Sequence, residues 1–346
     1  MGYPAGIGPE VILKALASPK IRGLASFLII GDVDIFNRVS HLLGKRLTFN
    51  IINRERDINF LKKDIIFLDI NNVPRKDFKF GRISKIYGKA SIDYIDSAVS
   101  IIRQGKSDIL ITAPIHKHAA QLSGFAYSGH TEYLAHLFNQ KNFAMMLIGG
   151  KLKVALVTTH IPLKDIPKML KKEDIKNVIV LTNSYLKRYF GIKSPRIAVC
   201  GLNPHAGDSG LLGREEIDII EPALRRLAKM RIKVFGPFAA DAIFYDVGKG
   251  RYDAVICMYH DQGLVALKMV ARDEAVNITL GLPMIRTSPG HGTALDIAGK
   301  GKACAESMKQ AIITAVAMHG SEQKLSRSRL PAANRKNVGA ASRRRT

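Results

Sequence analysis

Cysteine is scarce and tryptophan is missing. Cys200, Cys257 and Cys304 are the chain's three thiols, and none belongs to a Cys-x-x-Cys pair. That excludes a disulfide-stapled scaffold and the common paired-cysteine zinc or redox motifs. Long apolar runs are missing too: nothing approaches the roughly 18–20 residues that cross a bilayer as a helix. No basic-then-apolar segment follows Met1, so the sequence reads as a soluble protein of a reducing cytoplasm, with no membrane partner. Acidic residues are few, 29 Asp and Glu against 53 Lys and Arg, for a formal charge of +24. Such an excess suits nucleic acid, an acidic membrane or anionic small substrates alike. Part of it sits in residues 321–346, where basic residues from Lys324 to Arg345 face one acidic residue, Glu322. With few apolar anchors, that tail reads as disordered.

Apolar residues are plentiful, 47% of 346, enough for about two cored domains. Short apolar runs at Ser26–Ile30, Asp64–Leu68 and Asp108–Thr112 read as buried strands. The spacing of Ile92, Ile95, Val99 and Ile102 predicts an amphipathic helix over Ser91–Gln104. The rhythm returns with strands at Lys153–Thr159, Arg196–Cys200, Ala254–Met258 and Val276–Leu280. Helices are expected at Lys176–Phe190, Arg214–Lys229 and Gly263–Val270. Pro9 and Glu10 fit the first turn of a helix running to Ala17. Gly149-Gly150 between two runs predicts a hairpin. The alternation implies an α/β fold with a largely parallel sheet.

Three predicted strands end on histidine. Val154–Thr159 runs into His160, Arg196–Cys200 into Gly201-Leu-Asn-Pro-His205, and Asp253–Tyr259 into His260. Ligands of open α/β sheets bind beyond the carboxyl ends of strands, and three imidazoles there suit a divalent metal with open positions. Each histidine alone also reads as a polar loop residue bonding nearby backbone; the three together favour a site.

A second group is basic. Ser128-Gly-His130-Thr131-Glu132 reads as a turn entering a helix, whose free N–H groups receive a phosphate or carboxylate unless Ser128 or Thr131 simply caps it. Lys268, Asn277 and Arg286 would add charge-assisted bonds to a phosphorylated substrate. Pro289-Gly-His291-Gly-Thr-Ala-Leu-Asp296-Ile-Ala-Gly299-Lys-Gly301 suits close backbone approach to a nucleotide. No complete G-x-G-x-x-G or Walker A motif exists, and Pro4–Glu10 is only a partial fingerprint.

Taken in order, Pro-Ala-Gly-Ile-Gly-Pro-Glu (4–10), Thr-Ala-Pro-Ile-His-Lys (112–117), Ser-Gly-His-Thr-Glu (128–132), Thr-Thr-His (158–160), Asn-Pro-His-Ala-Gly (203–207), Gly-Pro-Phe-Ala-Ala-Asp (236–241), Tyr-His-Asp-Gln-Gly (259–263) and the 289–301 segment resemble the 4-hydroxythreonine-4-phosphate dehydrogenase family of pyridoxal phosphate biosynthesis. The resemblance covers about residues 4–318. It implies a zinc, cobalt or magnesium ion on His160, His205 and His260, shared across a homodimer interface, and substrate contacts from His130, Thr131, Lys268, Asn277 and Arg286. The 291–299 stretch is also similar to the nucleotide-binding segment of isopropylmalate and isocitrate dehydrogenases, which makes His291, Gly292 and Asp296 the candidate contacts to NAD or NADP. The implied architecture is two α/β/α domains flanking a cleft, isopropylmalate dehydrogenase-like. Residues 1–120 with 287–320 form the first, 121–286 the second with the metal site, and 321–346 the basic tail.

The chemistry so implied is oxidation of 4-phosphohydroxy-L-threonine with hydride passing to NAD(P)+, then loss of carbon dioxide to leave 3-amino-2-oxopropyl phosphate. Lys268 is the candidate for proton transfer. Rival readings are the same chemistry on 4-phospho-D-threonate or 4-phospho-D-erythronate, a catalytically silent paralogue, and nucleic-acid binding through the tail. Family members usually open with a strand leading into Gly-Asp/Glu-Pro-Ala-Gly. Here Met1-Gly2-Tyr3 stands in that place, so the first strand is expected to be absent, as a truncated reading frame would leave it, with sheet edges exposed.

Overall fold

The computed structural model of the chain describes residues 1–60 and 64–329. It is α/β throughout and divides into two compact units, one of Met1–Leu137 with the chain from Met284, the other of Phe138–Pro283. In chain order the strands are β1 Phe27–Gly31, β2 Asn50–Ile52, β3 Ile65–Asp69, β4 Ile109–Ile111, β5 Ala144–Gly149, β6 Leu152–Leu156, β7 Arg196–Cys200, β8 Lys233–Phe238, β9 Ala254–Cys257, β10 Val276–Leu280 and β11 Ile285–Pro289.

In the first unit, β1, β3 and β2 form a parallel sheet in that spatial order, and β4 pairs in parallel with β11. The Lys85–Arg103 helix buries Tyr87, Ala90, Tyr94, Ala98 and Ile101, spaced three or four apart as one helical face requires. Gly88 lets the Lys117–Leu122 helix approach it, because a Cβ there would lie 2.0 Å from the Ala119 carbonyl oxygen. Residues 121–137 belong to this unit, so the division falls later than the expected 120/121. The reason is local packing: Phe125, Tyr127 and Tyr133 stack on one another, Tyr133 bonds Asp96, and Arg103 bonds the Leu137 carbonyl.

Tyr3 is fully buried in the core of this unit with Phe36 and Phe67. Its hydroxyl donates to the Arg82 carbonyl and accepts from Ser84 N–H, both at 2.9 Å, while its own N–H donates to the Pro114 carbonyl at 2.8 Å. The Met1 ammonium donates to the Ile30 carbonyl at 2.7 Å. Among the described residues β1 pairs with β3 alone and β4 with β11 alone. Their facing sides border an apolar cavity of about 230 Å³ lined by Phe27, Ile29, Tyr94, Ile109, Ile111 and Ile312.

In the second unit the strand order is β10-β5-β6-β9-β7-β8. β5 and β6 make the anticipated antiparallel hairpin, and β10 runs antiparallel to β5. β6, β9, β7 and β8 are mutually parallel. The carboxyl ends of β6, β9 and β7 therefore open side by side on one edge, the geometry that makes an open sheet a ligand site.

Three strands were not anticipated. β2 is three residues long, β8 is interrupted by Gly236-Pro237, and β11 carries Arg, Thr and Ser on buried positions. The helix expected from Gly263 begins at His260, because Tyr259 is extended and the Gln262 side-chain oxygen accepts Met258 N–H. The helical run expected from Arg214 opens with a π-helical Glu216–Ile220 before Glu221–Lys229. Residues 321–329, expected to be disordered, continue the Glu306–Arg329 helix. No proline interrupts them, and straight-chain Glu322, Gln323 and Lys324 are good helix formers. The rest of the basic tail, 330–346, lies outside the described residues. Among the described residues no helix is long and apolar enough to cross a membrane.

Candidate functional site

In the first unit, β11 delivers Arg286 to a nearly dry position, 2% exposed. Its Nη2 donates to Thr112 Oγ1 at 2.7 Å, just past the end of β4. Burial pushes the guanidinium down to about 10, against a smaller upward pull from Glu132. His130, the first residue of the His130–Leu137 helix, is half-buried, yet loss of water holds its imidazole well below the usual histidine range. Arg286, the Met1 ammonium and Lys117 add to that depression. Thr131 is buried beside it. The sequence motifs 112–117, 128–132 and 286 thus converge on one basic, partly dehydrated place at a helix start, a setting that suits an anion. His116 supports it by capping the Lys117–Leu122 helix, its Nδ1 accepting Ala119 N–H at 3.2 Å.

The 289–301 segment is held by the amino-terminal motif. Ile7 N–H donates to the Thr293 carbonyl at 3.0 Å, and the Lys14 ammonium donates to the Gly301 and Ala303 carbonyls at 2.9 and 2.7 Å. Glu10, 2% exposed, accepts from Ala303 N–H and from Lys14. Pro4–Glu10 is therefore a clamp for the nucleotide-like loop. Within that loop Gly292 faces open space, His291 Nε2 is buried with no hydrogen-bond partner among the described residues, and Asp296 is exposed. A backbone free for close approach beside an unsatisfied imidazole nitrogen fits a polar ligand such as a dinucleotide.

In the second unit, His160 and His260 come together with ring centres 6.0 Å apart. With metal–nitrogen bonds of about 2.0–2.1 Å, two imidazoles on one tetrahedral ion have ring centres roughly 5 Å apart, so this pair stands somewhat wider than two ligand positions require. His260 Nδ1 lies 2.7 Å from Asp261 Oδ1, a contact that orients the ring. His205 is exposed and opens a run of left-handed residues from His205 to Ser209. Among the described residues no three histidine, cysteine or acidic groups cluster at metal-binding distance, so His205 does not join the pair within one chain. Lys268 is exposed on the His260–Ala271 helix. Asn277, on β10, has its side-chain oxygen buried with no hydrogen-bond partner among the described residues.

Side chains that bond to backbone hold these groups in place. Glu216, 1% exposed, accepts from Leu202 and Asn203 N–H at 2.7 and 2.8 Å and so anchors the approach to His205. Thr158 Oγ1 donates to the Met258 carbonyl at 2.7 Å, tying the approaches to His160 and His260. A carboxylate or hydroxyl bonding backbone has no sequence signature of its own.

Comparison with known proteins accounts for the motif order. The chain is 42% identical over 321 residues to a 4-hydroxythreonine-4-phosphate dehydrogenase of Geobacter metallireducens, covering 92% of this chain and 94% of that one. It is also 42% identical over 313 residues to a D-threonate 4-phosphate dehydrogenase of Cupriavidus necator, covering 90% and 93%. The crystal structure of 4-hydroxythreonine-4-phosphate dehydrogenase from Klebsiella pneumoniae superposes with a TM-score of 0.81 at 40% identity, covering 93% of this chain and 98% of that one. The sequence profile of the family described as pyridoxal phosphate biosynthetic protein PdxA matches residues 23–315, most of the length, and the chain belongs to that family of dehydrogenases.

Proposed function

We propose that this protein oxidises 4-phosphohydroxy-L-threonine at the hydroxyl beside its amino-bearing carbon and releases carbon dioxide, yielding 3-amino-2-oxopropyl phosphate. The observation that carries the proposal is Arg286, buried and braced by Thr112 beside the depressed imidazole of His130. A guanidinium with little water around it gains most from a multiply charged partner, and a phosphate can accept several of its bonds at once. In the first unit, Arg286, His130 and Thr131 bind the substrate's anionic end, while His291, Gly292 and Asp296 receive NAD or NADP. In the second, Asn277 offers its unsatisfied oxygen to a substrate donor, and Lys268 moves the proton at its Nζ. His160, His205 and His260 would hold a zinc, cobalt or magnesium ion. When bound, the nicotinamide supplies the hydride acceptor and the ion supplies the Lewis acidity that oxidation and decarboxylation both need.

A homodimer with the active site shared between copies is part of the same proposal. Exposed Leu211, Val265, Met269 and Val270, a costly apolar surface to leave in water, support it. A reducing cytoplasm suits the facing Cys200 and Cys257 thiols, 4.0 Å apart and buried. The second reading, 4-phospho-D-threonate as substrate, is favoured by the Cupriavidus necator relative, whose identity equals that of the Geobacter metallireducens one. Neither the family nor the relatives lend weight to nucleic-acid binding. The deciding measurement is NAD(P) reduction with each phosphorylated four-carbon acid and added metal. Turnover of the amino substrate with carbon dioxide release is expected; turnover of the threonate or erythronate alone would move the assignment to that substrate.

A further inference from the structure

β1 and β4 each have one side without a strand neighbour among the described residues, and both strands line the same half-open hollow of about 230 Å³. The backbone pattern shows which groups face it. Phe27 N–H donates to the Asp64 carbonyl at 2.9 Å and Ile70 N–H to the Gly31 carbonyl at 2.8 Å, so Phe27, Ile29 and Gly31 turn their polar groups to β3. Backbone groups alternate sides along a strand, so Leu28 and Ile30 turn theirs to the hollow. On β4, Ile285 N–H donates to the Asp108 carbonyl at 2.9 Å and Thr112 N–H to the Thr287 carbonyl at 3.1 Å, which leaves Ile109 and Ile111 facing the hollow.

The ends of the hollow show what these rims accept. At one, the Ser107 hydroxyl donates to the Ile109 carbonyl at 3.0 Å and accepts Ile109 N–H at 3.2 Å. At the other, the Met1 ammonium donates to the Ile30 carbonyl at 2.7 Å and Tyr3 N–H to the Pro114 carbonyl at 2.8 Å, so three residues span the carboxyl ends of both strands. A hydroxyl and an ammonium thus stand where ladder partners would. Between them Leu28 and Ile111 offer backbone N–H and C=O groups to whatever enters, and such groups are costly to cover without bonding. The walls are apolar: Tyr94 and Ala98 come from the Lys85–Arg103 helix, Ile312 and Val316 from the Glu306–Arg329 helix. An apolar small molecule suits the walls and strands the rims, whereas an extended peptide with apolar side chains suits both. Residues 330–346 carry five basic residues and do not match such walls, and the described segments occupy elements and loops of their own, so the occupant is a separate chain.

We propose that the first unit binds an extended apolar peptide of a partner chain, as long as the five residues of β1, as a strand added between β1 and β4. The hollow reaches Thr112 and His130, so the added strand ends where Arg286 is braced. The test uses the full-length protein and a fluorescein-labelled peptide Lys-Ile-Val-Ile-Val-Ile-Lys, whose lysines keep it soluble, with anisotropy and melting temperature as readouts. Binding that raises the melting temperature is expected. The same peptide N-methylated at two central residues keeps its side chains and loses two ladder donors, and should bind about tenfold more weakly or worse. Leu28→Pro removes an N–H that faces the hollow while leaving the bonds to β3, and should weaken the unmodified peptide in the same way. Should that variant fail to fold, the N-methylated peptide on the parent protein decides. No binding at about 1 mM peptide, the weak end of specific affinity, would overturn the proposal. So would equal binding of the two peptides with displacement of both by decanoate, which would make the hollow a site for small apolar molecules.

Discussion

The two units present their polar groups in opposite ways. In the first, Arg286 is 2% exposed and His130 has shed enough water to stay neutral, so the cost of dehydration is met when the chain folds. In the second, His160 and His205 stand exposed, and what is fixed is the backbone beneath them, through Thr158, Gln262 and Glu216. A group that must grip a phosphate gains when its water is already gone, because each bond it makes is then stronger. A group that must release a proton before taking a metal gains from water and from well-set spacing instead. On the roles proposed above, the two units would differ in solvent as much as in residue type.

The sharpest way to break the contrast is Arg286→Ala. It should lower kcat/KM for the phosphorylated substrate by roughly 100- to 1,000-fold and leave Co²⁺ binding intact, and Arg286→Lys should recover little because a point charge does not replace the fork. A loss under tenfold would deny the first unit its role as anion pocket. The mirror change, His260→Ala, should abolish Co²⁺ binding and cut turnover by about 100-fold or more, with substrate binding measured separately little altered. Glu10→Ala is expected to cost about 2 kcal/mol in urea unfolding, since it strands Ala303 N–H, removes the carboxylate paired with Lys14 and loosens the loop after His291.

The smallest effect is the dependence on pH. His130 binds a proton more readily unfolded than folded, so its contribution is complete above the usual histidine pKa of about 6.5 and is lost as pH falls below it. His130→Gln should flatten the decline of stability between pH 7 and 5, measured by denaturant midpoints. An unchanged slope would place the titration elsewhere.

Most of the sheet was legible because its strands are continuous apolar runs: Ile65–Leu68 and Ala254–Cys257 are buried on both faces, and no helical period competes. β11 was not legible, because Arg286, Thr287 and Ser288 are buried by partners from distant parts of the chain, such as Thr112 and the Ala311 carbonyl. β8 hid behind Gly236-Pro237 and its half-exposed edge position. The histidines could be picked out because three strands end on them. The tasks of Gln262, though it lies in the 259–263 motif, and of Glu216 could not be read, since each bonds the backbone at Gly201 or Leu202, which only the fold brings near. The amino-terminal motif was visible but its task was not: what resembles a broken phosphate loop braces residues 293–303.

The cavity between β1 and β4 has a consequence for mechanics. Hydrostatic pressure favours any state that eliminates loosely packed apolar space. With a half-open, mostly apolar hollow of about 230 Å³ beside Tyr94 and Ile312, the first unit has a place where packing is loose. Pressure should loosen it there, and because the chain has no tryptophan, the change can be followed in tyrosine emission from Tyr94 and its neighbours. Xenon, which fills such spaces without needing a single hydrogen bond, should stiffen the same place and raise the pressure at which it yields.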